Sequence, residues 1–440
     1  MCFRVPIYTI ANENTARFGL NRSNTLLGLL LICAAATSML PQQLMAGIAI
    51  VLLCVLTLTG KLYLAYPVML FFYAELGSFL GISVYRVFSL LLIFSVLLKA
   101  HRNIKVSVKH LLPLIVLFFY IVVTISSYSI RLSVFSFVDV ISALIMACYY
   151  LADAEALKHF FTVYVITALV AFFVGMIFGN SLNGYQVIGG NLVKLTRFMA
   201  TFEDPNYMGF FYSVAVFGVI TLRLFKPTAR IILTVILYVM IFASLSITAL
   251  LGNAIFWLIY FIITKKINLS TTVTVCVVVL IMLGLYRYGV NNRDVPVLGD
   301  ICWRIQDKIS NFQANDIDSL TTDRSALAAQ HFAYYQQQNI FKILFGGNMF
   351  NTKIAELGGQ NIILSHNEYV DSLLDVGLVG AAILFAFVAW RLIEAGKKYV
   401  GNREDESASL CVFMMKIIWL FYAAALTMFL DFRFMLIFFL

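Results

Sequence analysis

Apolar runs long enough to cross a bilayer recur along almost the whole chain, and they leave few folds open. A hydrocarbon core of roughly 30 Å needs about 20 helical residues per crossing, and the backbone polar groups inside it must be satisfied within the spanning element. Such runs lie near 24–40, 43–60, 62–81, 83–99, 111–128, 134–151, 158–179, 207–224, 229–245, 248–264, 269–286, 370–392 and 408–430. With 440 residues, 62% hydrophobic and 12% charged, the chain has too little polar surface to coat a water-soluble globule. The fold expected is all-α: a polytopic integral membrane protein of about 13–14 transmembrane helices. The first run follows Arg17 and Arg22, but so many spans come after it that a cleaved signal peptide is not expected. The seven cysteines show no CxxC or Cys/His spacing, so neither a zinc site nor a disulfide framework is visible.

Charge sets the sides. The basic clusters are Lys99, Arg102, Lys105 and Lys109; Arg223, Lys226 and Arg230; Lys265 and Lys266; and Arg391, Lys397, Lys398 and Arg403. Each follows an even-numbered span, so all can be cytoplasmic with the N-terminus inside. The net charge of +9 fits such loops better than binding to nucleic acid. The two long non-apolar segments, 180–206 and 287–369, then both fall on the outer face. The chain divides into an N-terminal bundle over 1–286, a large outer loop over 287–369 and C-terminal helices over 370–440. Trp303, Ile305, Ile309 and Phe312 recur at helical spacing in that loop, and Asp323 is placed to cap a helix running to Gly346. Glu75, Arg86, Asp139, Asp371 and Asp375 map to the outer halves of their spans. They either line a polar cleft beneath the loop or form buried ion pairs, such as Glu75 with Arg86, that only hold helices together.

Two stretches carry the candidate chemistry. In RFMATFEDPNYMGFFY, residues 197–212, Asp204 and Pro205 read as the N-cap and first residue of a helix starting at the outer face. Its amide groups and positive dipole end suit a diphosphate, with Arg197 nearby; alternatively, Arg197 is an interface anchor that snorkels to headgroups. In SHNEYVDSLLDVG, Ser365 and Glu368 read as a capping box that sets His366 in the first turn of an inward-going helix. The dipole there favours a neutral imidazole, a general base at neutral pH; the alternative is a solvated loop histidine. Asp371 and Asp375 share a face with Glu368, and Gly377 with Ala381 makes a small-xxx-small packing pair. Arg324 opens the loop helix and is suited to bidentate phosphate binding. No Walker loop, HExxH, GxSxG or metal-ligand cluster occurs in the sequence.

The outer R-F-x-x-T-F-x-x-P-N-x-x-G segment resembles the O-antigen polymerase and ligase superfamily. So do Asp323-Arg324 leading to Phe345-Gly346-Gly347, and Ser365-His366-Asn367 ahead of Leu373, Gly377, Leu378 and Gly380. The motifs that match cover residues 197–209 and 323–380. The resemblance implies inverting glycosyl transfer at the periplasmic face of a bacterial inner membrane, without metal or other cofactor. Donor and acceptor would be undecaprenyl-diphosphate-linked glycans drawn from the membrane lipid, with a chain-length regulator protein as partner. By similarity His366 is the base, Arg197 and Arg324 stabilise the diphosphate, and Asn206, Glu203, Asn367, Glu368, Asp371, Arg86 and Arg304 are candidates for binding substrate. Ligases of the superfamily tend to carry Ser-Arg where a span turns back at the outer face. Ser244, Leu245, Ser246, Ile247 and Thr248 contain no arginine, which favours a polymerase over a ligase. A polyprenol-glycan flippase or transporter ranks lower, because the intramembrane charges lie toward one face and no internal repeat is seen.

Overall fold

The structure is a computed structural model that describes residues 13–100, 138–139, 141–151, 153–179, 181–188, 191–264, 283–284, 286–292, 295, 298–316, 324–346, 366–401, 406–426 and 432–440. The chain forms two compact units, Met1–His101 and Arg102–Leu440. The expected span at 111–128 and most of that at 269–286 lie outside the described residues.

In the first unit, α1 (Glu13–Ala36), α2 (Gln42–Thr59) and α5 (Val84–Ala100) follow the apolar runs. The run at 62–81 does not make one helix. It breaks into a 3-10 turn (Leu62–Ala65), α3 (Tyr66–Phe71), α4 (Tyr73–Leu76) and a minimal hairpin of β1 (Ser78–Phe79) with β2 (Ile82–Ser83). Pro67 sits at the start of α3, and Phe72, at φ −112 and ψ 28, interrupts the helical path. Hydropathy was high over this run because the segment is core: residues 62–72 are all buried.

The second unit is built around one helix. After a π-helical turn (Met146–Tyr150) come α6 (Ala154–Phe178), the hairpin β3 (Ser181–Ile188) and β4 (Asn191–Phe198), then α7 (Pro205–Thr221), α8 (Pro227–Ala243) and α9 (Ile247–Thr264). Helix α7 packs against α6, α8, α9 and the later helix Glu406–Ala423. It is apolar on all sides, as a helix surrounded by neighbours must be, and Phe210 to Val219 are buried without a break. Its polar atoms are used between helices: Tyr164 on α6 donates to the Phe211 carbonyl at 3.1 Å, Tyr212 to that of Ala168 at 2.7 Å, and Asn253 Nδ2 on α9 to Ser213 Oγ at 2.7 Å.

The chain continues through α10 (Leu298–Gln313), α11 (Arg324–Gln336), α12 (Ile340–Phe345), α13 (Glu368–Gly401), α14 (Glu406–Ala423) and α15 (Phe432–Phe439). The expected loop helix from Arg324 to Gly346 is broken at Gln337–Asn339, where Asn339 caps α12 by accepting from the Lys342 amide at 3.0 Å. Helices α11 and α12 both pack on α13, which kinks at Gly377 (φ 67, ψ −178).

The fold is therefore mostly helical, but not wholly all-α as expected: residues 181–198, within the non-apolar segment 180–206, pair antiparallel from Ser181 with Phe198 to Ile188 with Asn191. Gly189-Gly190 between the strands was the sequence signal for a two-residue hairpin turn. Among the described residues, five helices are long and apolar enough to cross a membrane: α2, α6, α9, α13 and α14. Segment 23–36, residues 62–71, 84–96 and α8 are shorter apolar helices.

Candidate functional site

The start of α7 and the turn between α8 and α9 form one surface. Asp204 is the N-cap of α7, its carboxylate accepting from the Asn206 amide at 2.6 Å, with Pro205 in the first turn, as the sequence implied. Asn206 is 8% exposed, and its side-chain oxygen accepts from Ser246 Oγ at 2.9 Å. The α8–α9 turn is tight: Ser244 Oγ donates to the Ile241 carbonyl at 2.7 Å, and Leu245 takes a left-handed conformation, φ 51, costly for a branched side chain.

Three arginines from distant parts of the sequence converge on this turn. Arg197, at the end of β4, donates through Nε to the Ser244 carbonyl at 3.2 Å and through Nη2 to Asn206 Oδ1 at 3.0 Å. Arg304 of α10, only 7% exposed, donates through Nη1 to the next carbonyl, that of Leu245. Arg324, the first residue of α11, donates to the Ala425 carbonyl at 2.9 Å and makes a longer 3.5 Å contact with Thr248 Oγ1. A guanidinium has five N–H donors, so each keeps donors in reserve. Among the described residues, none of the three is ion-paired with a carboxylate.

Burial lowers the pKa of all three. Arg197 falls to about 10, through burial first and the charge of Arg304 second. Arg304 is lowered by burial, with Asp307 opposing, Arg324 adding to the shift and Asp300 opposing it; Arg324 is lowered by burial, with Asp204 opposing. All remain cationic at neutral pH, so the structure holds mutually repelling, partly desolvated positive charges together. Such a constellation is relieved by a bound anion.

His366 lies beside this cluster. The reason expected for its neutrality needs correction, because it is not in the first turn of α13. Asn367 is the cap, its Oδ1 accepting from the Tyr369 and Val370 amides at 3.0 and 3.3 Å, and Glu368 accepts from Ser372 Oγ at 3.0 Å. Ser365, the other half of the expected capping box, lies outside the described residues. His366 instead precedes the cap in a left-handed conformation, φ 53. Its imidazole, half-buried, makes no hydrogen bond among the described residues. Its pKa is pushed below 6.5 by burial first and by the Arg324 charge second, while Asp204 and Asp371 pull the other way. The neutral form needed of a base is thus favoured by desolvation and a neighbouring cation.

The remaining candidates divide. Glu368 and Asp371 are each 2% exposed on the first turn of α13, and Asp371 acts electrostatically on His366. Asn367 is used by the helix cap. Glu203 is exposed and makes no hydrogen bond among the described residues. Arg86 is half-buried in the first turn of α5, in the N-terminal unit. Asp323 and Gly347 lie outside the described residues.

Sequence reasoning missed His331. It lies seven residues, about two turns, after Arg324 on α11 and so on the same helix face. It is fully buried, and its Nδ1 is 2.7 Å from the Leu327 carbonyl. A carbonyl can only accept, so Nδ1 carries the proton and Nε2 is left as a buried acceptor with no partner among the described residues. It also acts electrostatically on His366. Its i, i+7 spacing from Arg324 was the available signal.

No protein-family model matches the chain, and neither does any curated protein or solved structure.

Proposed function

We propose that the chain is an O-antigen polymerase, an inverting glycosyltransferase that joins undecaprenyl-diphosphate-linked repeat units. The observation that carries this reading is the convergence of Arg197, Arg304 and Arg324 on the Ser244–Thr248 turn, with the imidazole of His366, which makes no hydrogen bond among the described residues, beside them. A base and a concentrated positive charge are what this transfer needs. His366 takes the proton of the acceptor sugar hydroxyl as its oxygen attacks the anomeric carbon of the donor. The bond from that carbon to the diphosphate oxygen breaks, and the lipid diphosphate leaves with the electron pair. Negative charge grows on the diphosphate as the bond breaks, and the spare arginine N–H groups stabilise it more in the transition state than in the ground state. On this reading the site faces the periplasm and the substrates arrive by their lipid tails.

One observation favours the competing reading, an O-antigen ligase that moves glycan to lipid A core. The guanidinium groups of Arg197 and Arg304 reach the same turn in which ligases of the resembling superfamily carry an arginine, so the missing turn arginine has replacements. Lipopolysaccharide gels of a deletion strain separate the two. Core bearing one repeat unit identifies a lost polymerase; bare core with lipid-linked polymer identifies a lost ligase. In the complemented strain, His366→Ala should abolish the long-chain ladder and leave single-repeat lipopolysaccharide. An undiminished ladder from a normally expressed variant removes His366 from the chemistry.

A further inference from the structure

A polar cavity of about 510 Å³ lies at the opposite end of α7 from the arginine cluster. The 17 residues of α7 separate the two by about 25 Å, close to the thickness of a hydrocarbon core. With α7 laid across the bilayer, a cavity at this distance would sit at the level of the headgroup layer opposite the cluster. Its walls come from α6, the turn after α7, α9 and the start of α14. Exposed apolar side chains of α8 and α9, such as Ile231, Leu258 and Ile262, form a surface suited to acyl chains.

The lining carries unused polar groups of both signs. Arg223 makes no hydrogen bond or ion pair among the described residues, and the hydroxyls of Tyr260 and Ser407 make no hydrogen bond among them either. Lys158 is already committed to Glu155 at 2.7 Å. Glu406 opens α14 beside Ser407, where amide N–H groups of the first turn have no intrahelical partner, and its carboxylate forms no ion pair among the described residues. A simple anion would be drawn by Arg223 and repelled by Glu406. A zwitterion with a phosphate at one end and a primary ammonium at the other satisfies both.

We propose that this cavity binds the headgroup of a phosphatidylethanolamine-type lipid, with its phosphate on Arg223, Tyr260 and Ser407 and its ammonium on Glu406. The site is separate from the arginine cluster and does not depend on the glycosyltransfer reading.

The test uses the purified full chain, delipidated in detergent and offered phosphatidylethanolamine, phosphatidylcholine or phosphatidylglycerol, with lipid retention read by native mass spectrometry and thermal stability measured in parallel. Phosphatidylethanolamine should be retained at one molecule per chain, about tenfold more tightly than the other two. Arg223→Gln and Glu406→Gln should each lower that retention by about tenfold, and Arg223→Lys should restore part of it. Both side chains are exposed, and unchanged elution and helicity of the variants show that the fold is kept. Tyr260→Phe, which removes only a hydroxyl, should weaken retention in the same direction. Equal retention of phosphatidylglycerol, or indifference to Glu406→Gln, would reduce the cavity to an anion site and overturn the proposal. Stabilisation by inorganic phosphate equal to that by the lipid would overturn it too, as would retention of none of the lipids.

Discussion

Gly346 and Gly377 meet backbone against backbone, the end of α12 against the kink in α13. A Cβ on Gly346 would stand 2.7 Å from the Gly377 nitrogen, and one on Gly377 would overlap the amide nitrogens of Gly346 and Phe345. Both residues have positive φ, 75 and 67. This contact seats α12 beside the first turns of α13, which carry Glu368 and Asp371. Gly377→Ala should therefore lower stability by more than the roughly 1–3 kcal/mol that this glycine-only backbone region (φ 67, ψ −178) costs an L-residue, because neighbouring backbone must also move. Thermal unfolding in detergent measures this. Gly401→Ala, in the same helix with nothing among the described residues within 4 Å of the new Cβ, should be neutral or slightly stabilising.

The pH dependence of transfer follows from His366. Its pKa is lowered, so the neutral base persists as pH falls through 6.5, and the acid limb of kcat/KM should lie below that value. Arg324 is the second cause of the shift, so the residual activity of Arg324→Gln should show its acid limb moved upward, toward 6.5. The linkage has the same sign for stability. The unfolded state takes up the proton first, so any contribution of His366 to stability is lost as pH drops below 6.5. A pH–rate series on wild type and Arg324→Gln checks the assignment.

Asn206 holds Arg197 in place without neutralising it. Its Oδ1 accepts from Arg197 at 3.0 Å and from Ser246 at 2.9 Å. Asn206→Ala removes a hydrogen bond to a charged group, worth about 1.5–3 kcal/mol, and should raise the donor KM by roughly 10- to 100-fold. Asn206→Asp should keep the arginine anchored while cancelling its charge, so donor affinity should fall although the fold is preserved. Comparing the two by steady-state kinetics separates position from charge.

His331 offers a test of function against stability. A buried acceptor without a partner costs about 1–3 kcal/mol, so His331→Phe should leave thermal stability unchanged or raise it. If Nε2 serves the site next to His366, the same variant should lower transfer by about tenfold while stability holds. Loss of both together would mark His331 as a packing residue.

Much of the helical framework was legible because its signals are local. The apolar runs that became α2, α6, α8 and α9 begin and end within a few residues of where hydropathy placed them, and Asp204-Pro205 marked the start of α7 by cap chemistry alone. Residues 62–81 misled because hydropathy reports burial and not shape: a broken segment whose first part, 62–72, is buried throughout is as apolar there as a span. The β3–β4 hairpin was missed although Gly189-Gly190 pointed to it.

The candidate site was legible only as a set of residues on one expected face. Composition placed charged side chains near span ends, and helix periodicity put Glu368, Asp371 and Asp375 on one side of a helix. What brings Arg197, Arg304 and Arg324 to two adjacent carbonyls and a hydroxyl of the Ser244–Thr248 turn is the packing of α8 and α9 around α7, a contact between segments 47 to 76 residues apart in the chain. The sequence by itself determined which segments are apolar, where several helices start and which residues could carry charge. Tertiary structure alone decided that the arginines share a turn with no carboxylate paired to them among the described residues, and that His366 precedes its helix with burial lowering its pKa. Hydropathy and capping act within a few residues, whereas desolvation and charge repulsion depend on neighbours that only the folded chain supplies.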